Sequence, residues 1–191
     1  MSVYDGAMAT MNTPDTALLV IDMQQALCSG AEAAFDIARV IDNVNSLSQR
    51  VRAAGLPVVL VQHEEAGGPM QHGSAGWALA DGLLTDSTDV RVRKTTPNSF
   101  HGTELQRLLQ QRGVKRLVVC GLQTEFCVDT TVRQALALGY DVVLAADAHS
   151  TTDGAITAAQ AIAHHIRTLG WMGGFDATIA VRPAAEVSFA A

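Results

Sequence analysis

Aromatic residues are scarce in this 191-residue chain, at 5% of the sequence against 48% for hydrophobic residues of all kinds. With so few large rings, the core must be built from Ala, Val, Leu and Ile, which suits a parallel sheet covered by Ala-rich helices. The length fits one α/β domain with a full core and is short for two. We therefore expect a single domain over residues 1–191, with disorder confined to residues 1–13.

Positive charge, long apolar runs and cysteine are also in short supply. Thirteen Lys and Arg face 19 Asp and Glu, and no segment clusters its basic residues, so neither nucleic acid nor an acidic membrane surface is an expected partner. No apolar run reaches the roughly 18 residues of a membrane span, and the N-terminal residues lack the regions of a secretory signal, so we expect a cytoplasmic protein. The three cysteines form no CxxC pair, which argues against a disulfide framework or a zinc knuckle.

Short β-rich runs alternate with helical periodicity along the chain. The predicted strands cover residues 16–22, 57–63, 89–94, 115–121, 141–147 and 176–182. The predicted helices cover residues 31–54, 103–112, 127–138 and 154–169, each with a glycine close behind its last residue. This alternation predicts a doubly wound, three-layer α/β/α fold with a six-stranded, mainly parallel sheet. The Gly-rich, polar stretch 64–87 carries only a weak helical pattern at 77–84, and so long a loop is typical of a binding loop or lid.

Three chemically distinct side chains fall at predicted carboxyl strand ends. Asp22 closes the first strand, Lys94 closes the third, and Cys127 follows the fourth through the turn GLQTEF. Ligands of doubly wound sheets bind at this edge, where the strand order reverses. Each residue alone has an ordinary interpretation, as a turn carboxylate, a solvated lysine or a core thiol. Together, the helix N-terminus and the ammonium group favour a thiolate, and the carboxylate can accept the thiol proton.

Three segments carry a resemblance to a known family. ALLVIDMQ, VRKTTPNSFHGTEL and VVCGLQTEFCVDTTVRQALALGYDVVLAADAHST together resemble the isochorismatase-like cysteine hydrolases, over about residues 16–182. The most specific element is GLQTEFCVDTT, where that family places its nucleophile. The resemblance implies that Asp22, Lys94 and Cys127 form a catalytic triad.

The same resemblance implies further features of the fold and the site. It implies a sheet in the order 3-2-1-4-5-6 and a cis peptide bond at Leu122–Gln123. It also implies an oxyanion hole made by the backbone N–H groups of Gln123 and Cys127.

Two departures from family members narrow the expected reaction. Nicotinamidase-type members hold a divalent metal with an Asp and two His after the second strand, but VQHEEAGGPMQHG lacks that spacing. His63, Glu64 and His72 are candidate ligands there, but loop His residues more often line a pocket or face water, so we expect no metal and no nicotinamidase activity. Isochorismatases proper cleave a vinyl ether and usually lack the nucleophilic Cys, so the presence of Cys127 favours hydrolysis of a C–N bond.

Other residues have less certain roles. The candidates for substrate contact are Gln24, Trp77 and Phe100, for which ordinary packing or a subunit interface is an equal alternative. Cys120 lies in an apolar strand and reads as a core thiol, whereas Cys28 follows the first strand and could reach the mouth of the pocket. His164 and His165 lie on a late helix, away from the strand ends, and are expected to be structural or interfacial.

The sequence thus predicts a cysteine-dependent hydrolase that cleaves a C–N bond of a small amide, lactam or ureido substrate through a thioester, without an organic cofactor. A homo-oligomer, dimer or tetramer, is expected. One alternative is metal-free hydrolysis of a vinyl ether, in which Cys127 would be incidental. A nucleotide- or flavin-binding module is disfavoured because no GxGxxG or P-loop follows the first strand. A catalytically idle scaffold that acts by oligomerisation stays open.

Overall fold

The computed structural model describes residues 15–189, so the expectation for residues 1–13 lies outside the described part of the chain. The strands are β1 Thr16–Ile21, β2 Val58–His63, β3 Val90–Lys94, β4 Arg116–Leu122, β5 Asp141–Ser150 and β6 Ile179–Arg182. The helices are α1 Gln25–Cys28, α2 Ile37–Ala53, α3 Leu105–Gln111, α4 Asp129–Ala137 and α5 Ala158–Gly170. A π-helical turn, Thr124–Val128, precedes α4, and a 3₁₀ turn, Ala184–Glu186, follows β6.

The six strands form one sheet in the order β3-β2-β1-β4-β5-β6, and every pairing is parallel. The predicted order is therefore confirmed. The strand order reverses beside β1, which pairs with β2 on one side and with β4 on the other: Leu18 lies opposite both Val58 and Val118. The carboxyl ends of β1 and β4 thus flank the crevice where this fold binds ligands.

Helices cover both faces of the sheet, which confirms the three layers. All six residues of β1 are buried, because its side chains alternate between two cores. Leu19 and Ile21 pack with residues of α3, α4 and α5, whereas Leu18 and Val20 pack with residues of α2. Burying one such aliphatic side chain contributes about 1.5–3 kcal/mol, so strands buried on both faces need no large aromatic residues.

Some elements differ in extent from their predictions. Helix α2 begins at Ile37 rather than near residue 31, because Asp36 before it adopts a left-handed backbone with φ 51°. The weak helical pattern at 77–84 forms no helix, and its Leu79 instead bridges Gln24 in antiparallel fashion. Strand β5 runs three residues beyond its predicted end, to Ser150. No helix within residues 15–189 combines the length and the apolar character of a membrane span.

Candidate active site

Three strand ends bring Asp22, Lys94 and Cys127 into contact. Asp22 follows β1, Lys94 is the last residue of β3, and Cys127 lies in the π-helical turn that follows β4. The Nζ atom of Lys94 lies 2.6 Å from Oδ2 of Asp22 and 3.2 Å from Sγ of Cys127. The first two residues are almost fully buried, at 1% and 2% exposure. The structure therefore brings together the three residues that the sequence singled out.

A fourth residue, His63, completes the surroundings of the ammonium group. His63 ends β2 and pairs with Lys94 in register, and its Nδ1 lies 3.5 Å from Nζ. An ammonium group only donates, so Nδ1 accepts and the imidazole is neutral in this contact. Burial, and next the charge of Lys94, lower the pKa of His63 below its usual value. The three protons of Lys94 thus face a carboxylate, a sulfur and an imidazole nitrogen.

Asp22 keeps one carboxylate oxygen uncommitted. Its Oδ2 accepts from Lys94, while its Oδ1 is buried and has no hydrogen-bond partner among residues 15–189. The backbone of Asp22 is left-handed, with φ 51°, a conformation that Asp tolerates better than most residues. Its N–H donates to the carbonyl of Val61 at 2.9 Å, which fixes the carboxylate at the β1 end. A buried, unpaired oxygen beside a thiol is suited to accept a proton.

The thiol of Cys127 is protonated at neutral pH. Burial raises its pKa to about 12, the Asp22 carboxylate raises it further, and Lys94 acts in the opposite direction without cancelling them. Lys94 thus acts in the direction expected from the sequence, and the size of the opposing effect of burial was not visible there. Desolvation penalises the charged form and is the largest effect here.

The turn that carries Cys127 follows a cis peptide bond and a close contact between β4 and β1. The Leu122–Gln123 peptide bond is cis, as the resemblance implied. The carbonyl oxygen of Gln123 accepts from the amides of Phe126 and Val128, on either side of Cys127. Before the turn, Gly121 has φ +114°, and a Cβ there would overlap the backbone of Ile21. Only glycine fits so close an approach of two strands.

Comparison with known proteins decides the family. The model of the isochorismatase domain matches residues 16–172. The chain belongs to the isochorismatase family.

Curated relatives and a solved structure agree with this assignment. A streptothricin hydrolase from Streptomyces noursei is 41% identical over an alignment 177 positions long, which covers 88% of this chain and 63% of that protein. A ureidoacrylate amidohydrolase from Stutzerimonas stutzeri is 31% identical over 87% of this chain and 82% of that protein. The crystal structure of an isochorismatase from Pseudomonas putida KT2440 superimposes with a TM-score of 0.83 at 28% identity, over 92% of this chain and 91% of that one. This isochorismatase-family chain thus spans less than two thirds of the first of these relatives.

Two of the three residues predicted to contact substrate have structural roles in this isochorismatase-family fold. Gln24 is fully buried, and its amide donates to the carbonyls of His63 and Trp77 and accepts from the His63 N–H, at 2.8–3.0 Å. It therefore joins the ends of β1 and β2 to the long loop instead of facing a ligand. Phe100 is buried in the core and stacks on Tyr140, with ring centroids 5.9 Å apart. Their positions in the segments after Asp22 and Lys94 did not reveal that these side chains turn inward.

Trp77 stays a candidate for substrate contact. Its carbonyl accepts from the amides of Gln24 and Gln62, which holds the long loop against the carboxyl edge of the sheet. Its indole ring meets His72 edge-on, with centroids 4.5 Å apart. The indole Nε1 is shielded from solvent and has no partner within residues 15–189. A ligand with an acceptor could use this donor.

The other two cysteines lie away from the triad. Cys120 is buried in β4 with its Sγ 3.5 Å from the carbonyl of Leu19, and burial raises its pKa. Cys28 ends α1 and packs into the core beneath α2, and burial raises its pKa to about 12. The hypothesis that Cys28 reaches the pocket mouth is therefore wrong, because α1 turns it inward.

His165 is closer to the site than its position on a late helix predicted. Its Nδ1 lies 3.1 Å from Oδ1 of Asp129, two residues after Cys127. Arg133 also binds this carboxylate, at 2.7 and 3.0 Å. His165 thus ties α5 to the start of α4, whereas His164 is exposed and meets the His165 ring edge-on.

The metal site of nicotinamidase-type relatives has no counterpart in the side chains present. His63 faces the Lys94 ammonium group, Glu64 lies 3.5 Å from Arg93, and His72 is exposed against Trp77. In the described part of the chain, no three His, Cys, Asp or Glu side chains group as metal ligands. These residues do not fit a divalent metal, because their donor atoms do not converge.

Proposed function

We propose that this chain is a cysteine-dependent hydrolase that cleaves a C–N bond of a small amide, lactam or ureido substrate through a thioester on Cys127. The observation that carries the proposal is the contact of Lys94 with both Asp22 and Cys127, beside an unpaired oxygen of Asp22. Two named relatives, a streptothricin hydrolase and a ureidoacrylate amidohydrolase, support hydrolysis and, for the second, an amide bond.

In the first half-reaction, Asp22 accepts the S–H proton as the sulfur attacks the carbonyl carbon. The negative oxygen that forms is bound by the backbone N–H groups of Gln123 and Cys127. When the intermediate collapses, the C–N bond breaks and the proton on Asp22 passes to the leaving nitrogen. The amine departs, or stays tethered to the acyl group when the substrate is a lactam, and the acyl group stays on the sulfur.

The raised pKa of Cys127 is compatible with this step. Part of the rise comes from the negative charge of Asp22, and that charge disappears when Asp22 takes the proton. Once the proton has moved, Lys94 faces a thiolate and a neutral carboxyl group, so its charge stabilises the nucleophile.

In the second half-reaction, Asp22 accepts a proton from a water molecule as that water attacks the thioester. The C–S bond breaks, the sulfur recovers a proton from Asp22, and the acid product leaves. A ureido substrate would yield a carbamic acid, an amide or lactam a carboxylic acid. No group outside the chain besides water is required.

The test is a panel of small amides, lactams and ureido compounds that includes streptothricin and ureidoacrylate. The parent enzyme should hydrolyse at least one of them, with release of an amine or ammonia or, for a lactam, with opening of the ring, and Cys127→Ser should lose that activity by about 10³-fold or more. Intact-mass measurement after rapid acid quenching should show an acyl adduct on the parent and none on Cys127→Ser. Equal turnover by both proteins would exclude the thioester mechanism.

Vinyl ether hydrolysis is the second candidate, favoured by the isochorismatase-domain match over residues 16–172. In that reaction Asp22 would act as the acid and Cys127 would be dispensable. Turnover of isochorismate by Cys127→Ser at the parent rate, with no amide activity in either protein, would select this candidate.

A further inference from the structure

Three side chains at the carboxyl end of β5 bind three consecutive residues that precede Cys127 in the chain. The Nδ1 of His149 lies 2.8 Å from Oγ1 of Thr124, and the hydroxyl of Thr151 donates to Oε1 of Glu125 at 2.8 Å. A longer contact, 3.5 Å, joins Nε2 of Gln123 to the hydroxyl of Thr152. We call these three contacts the turn clamp.

The innermost of these contacts is shielded from water. Thr124 is fully buried and His149 is 2% exposed. A hydrogen bond at such a site is stronger than one in water, and leaving either group unpaired is unfavourable because no water replaces the lost partner. The strand register sets the geometry, since Gly121 lies opposite His149 and Leu122 opposite Ser150. The imidazole therefore stands beside the first residue of the π-helical turn.

His149 stays neutral near neutral pH. Burial is the largest of the effects that lower its pKa to about 4; His165 lowers it too, and Asp147 opposes them. A neutral imidazole can exchange one hydrogen bond with a hydroxyl group in either tautomer. The contact with Thr124 thus persists where the enzyme would work, and it adds no charge near the thiol.

We propose that His149 and Thr124 are positioning residues for the nucleophile: their hydrogen bond holds the π-helical turn so that the sulfur of Cys127 meets Lys94 and Asp22. The inference rests on the proposed function, because it assigns Cys127 the attack. Thr124 lies three residues before Cys127 in the same turn, so a shift of the turn moves the sulfur. A displacement of about 1 Å at a reacting atom can cost about 100-fold in rate.

The test compares substitutions that remove the hydrogen bond with substitutions that keep it. Thr124→Val and His149→Leu preserve approximate volume and remove one partner each. Thr124→Ser keeps the hydroxyl group, and His149→Asn keeps a polar atom at the position of Nδ1. His101→Asn, on an exposed turn, is the matched control for the histidine. The measured quantities are kcat and KM on an active amide, and the rate at which iodoacetamide modifies Cys127.

Thr124→Val and His149→Leu should each lower kcat by about 10- to 100-fold and change KM by less than about 3-fold. Their double variant should be no slower than the slower single variant, because both remove the same hydrogen bond. Thr124→Ser and His101→Asn should stay within about 3-fold of the parent kcat. His149→Asn should recover most of the loss caused by His149→Leu.

Each contrary result has a separate meaning. If Thr124→Val matches Thr124→Ser in kcat while Cys127→Ser is inactive, the positioning role is wrong and the proposed function stands. If kcat falls only in proportion to the folded fraction measured by circular dichroism, the clamp is merely structural and the inference is overturned. If the parent activity does not depend on Cys127, the proposed function fails first. Should His149→Leu not fold, the pair Thr124→Val and Thr124→Ser decides alone.

Discussion

At the scale of single residues, the sulfur of Cys127 lies between effects of opposite sign. Burial and the Asp22 carboxylate raise its pKa, and Lys94 lowers it. The two neighbours should therefore be separable by substitution, because one is a proton acceptor that suppresses the thiolate and the other is a cation that supports it.

Asp22→Asn should make Cys127 easier to alkylate and the enzyme slower. The amide removes the negative charge that raises the thiol pKa, so iodoacetamide should modify Cys127 faster than in the parent at pH 8. The amide is no base, so turnover should fall by about 10² to 10⁴. A time course of iodoacetamide modification measures the first effect, and steady-state kinetics measure the second. Slower alkylation in this variant would contradict the sign given to Asp22.

Lys94→Met should slow alkylation and turnover together. Removing the cation raises the pKa of the Cys127 thiol further, so less thiolate is present at pH 8. It also leaves the carboxylate of Asp22 buried without its partner, which costs about 3–5 kcal/mol of stability. The double variant Asp22→Asn, Lys94→Met is the control, and it should regain part of that stability in urea unfolding. Alkylation of Lys94→Met at the parent rate would show that the cation does not act on the sulfur.

At the scale of elements, the end of β4 and the turn after it set the position of the nucleophile. β4 lies between β1 and β5, so its carboxyl end approaches β1 while the turn after it contacts residues at the end of β5. The close approach of Gly121 to Ile21 of β1 lets the chain leave the sheet at this point. The turn clamp holds the same segment from the β5 side.

Gly121→Ala should destabilise the fold by more than the cost of placing an alanine at a positive φ. The new Cβ adopts an unfavourable φ of +114° and meets the backbone of Ile21, so β1 and β4 must separate. We expect a loss of about 3 kcal/mol or more in the free energy of unfolding. Gly139→Ala is the matched control: its φ is +86°, but no atom lies within 4 Å of the new Cβ, and it should cost about 1–2 kcal/mol. Urea unfolding measures both free energies. Equal losses in the two variants would mean that β1 and β4 accommodate the new Cβ without added cost.

At the scale of the whole molecule, two histidines couple folding to pH: the half-buried His63 and the buried His149. The pKa values of His63 and His149 are lowered in the folded chain, chiefly by burial. In the unfolded chain both histidines have pKa values near 6.5. Between pH 6.5 and the lower pKa values of the folded state, the unfolded chain therefore binds more protons than the folded chain. Stability then rises with pH across this window and is lost as pH falls through it.

The contribution of His149 should be lost as the pH falls from about 6.5 to about 4. The folded pKa is about 4 against an ordinary value of 6.5, which amounts to about 3 kcal/mol at about 1.4 kcal/mol per unit. Urea unfolding at pH 7 and pH 4.5 should show a smaller loss of stability in His149→Asn than in the parent. The His101→Asn variant, exposed in the folded state, should lose as much as the parent. Identical losses in all three proteins would place the pH dependence in other groups.

The order of strands and helices could be predicted from sequence because local periodicity reports which face of an element is buried. Strand ends are visible in the same pattern, and in a parallel sheet they share one edge. Together with the resemblance, that was enough to select Asp22, Lys94 and Cys127 and the cis bond before Gln123. These features depend on short segments and on a topology with few alternatives.

Only the tertiary structure decided what each side chain faces and which charge it carries. His63 meets Lys94 because β2 and β3 pair in that register, and His149 meets Thr124 because β5 runs to Ser150. The partners lie 31 and 25 residues apart in sequence, beyond the reach of any local pattern. The inward turn of Gln24 and the protonated state of Cys127 have the same origin: burial and electric field are sums over atoms that folding brings together from distant parts of the chain.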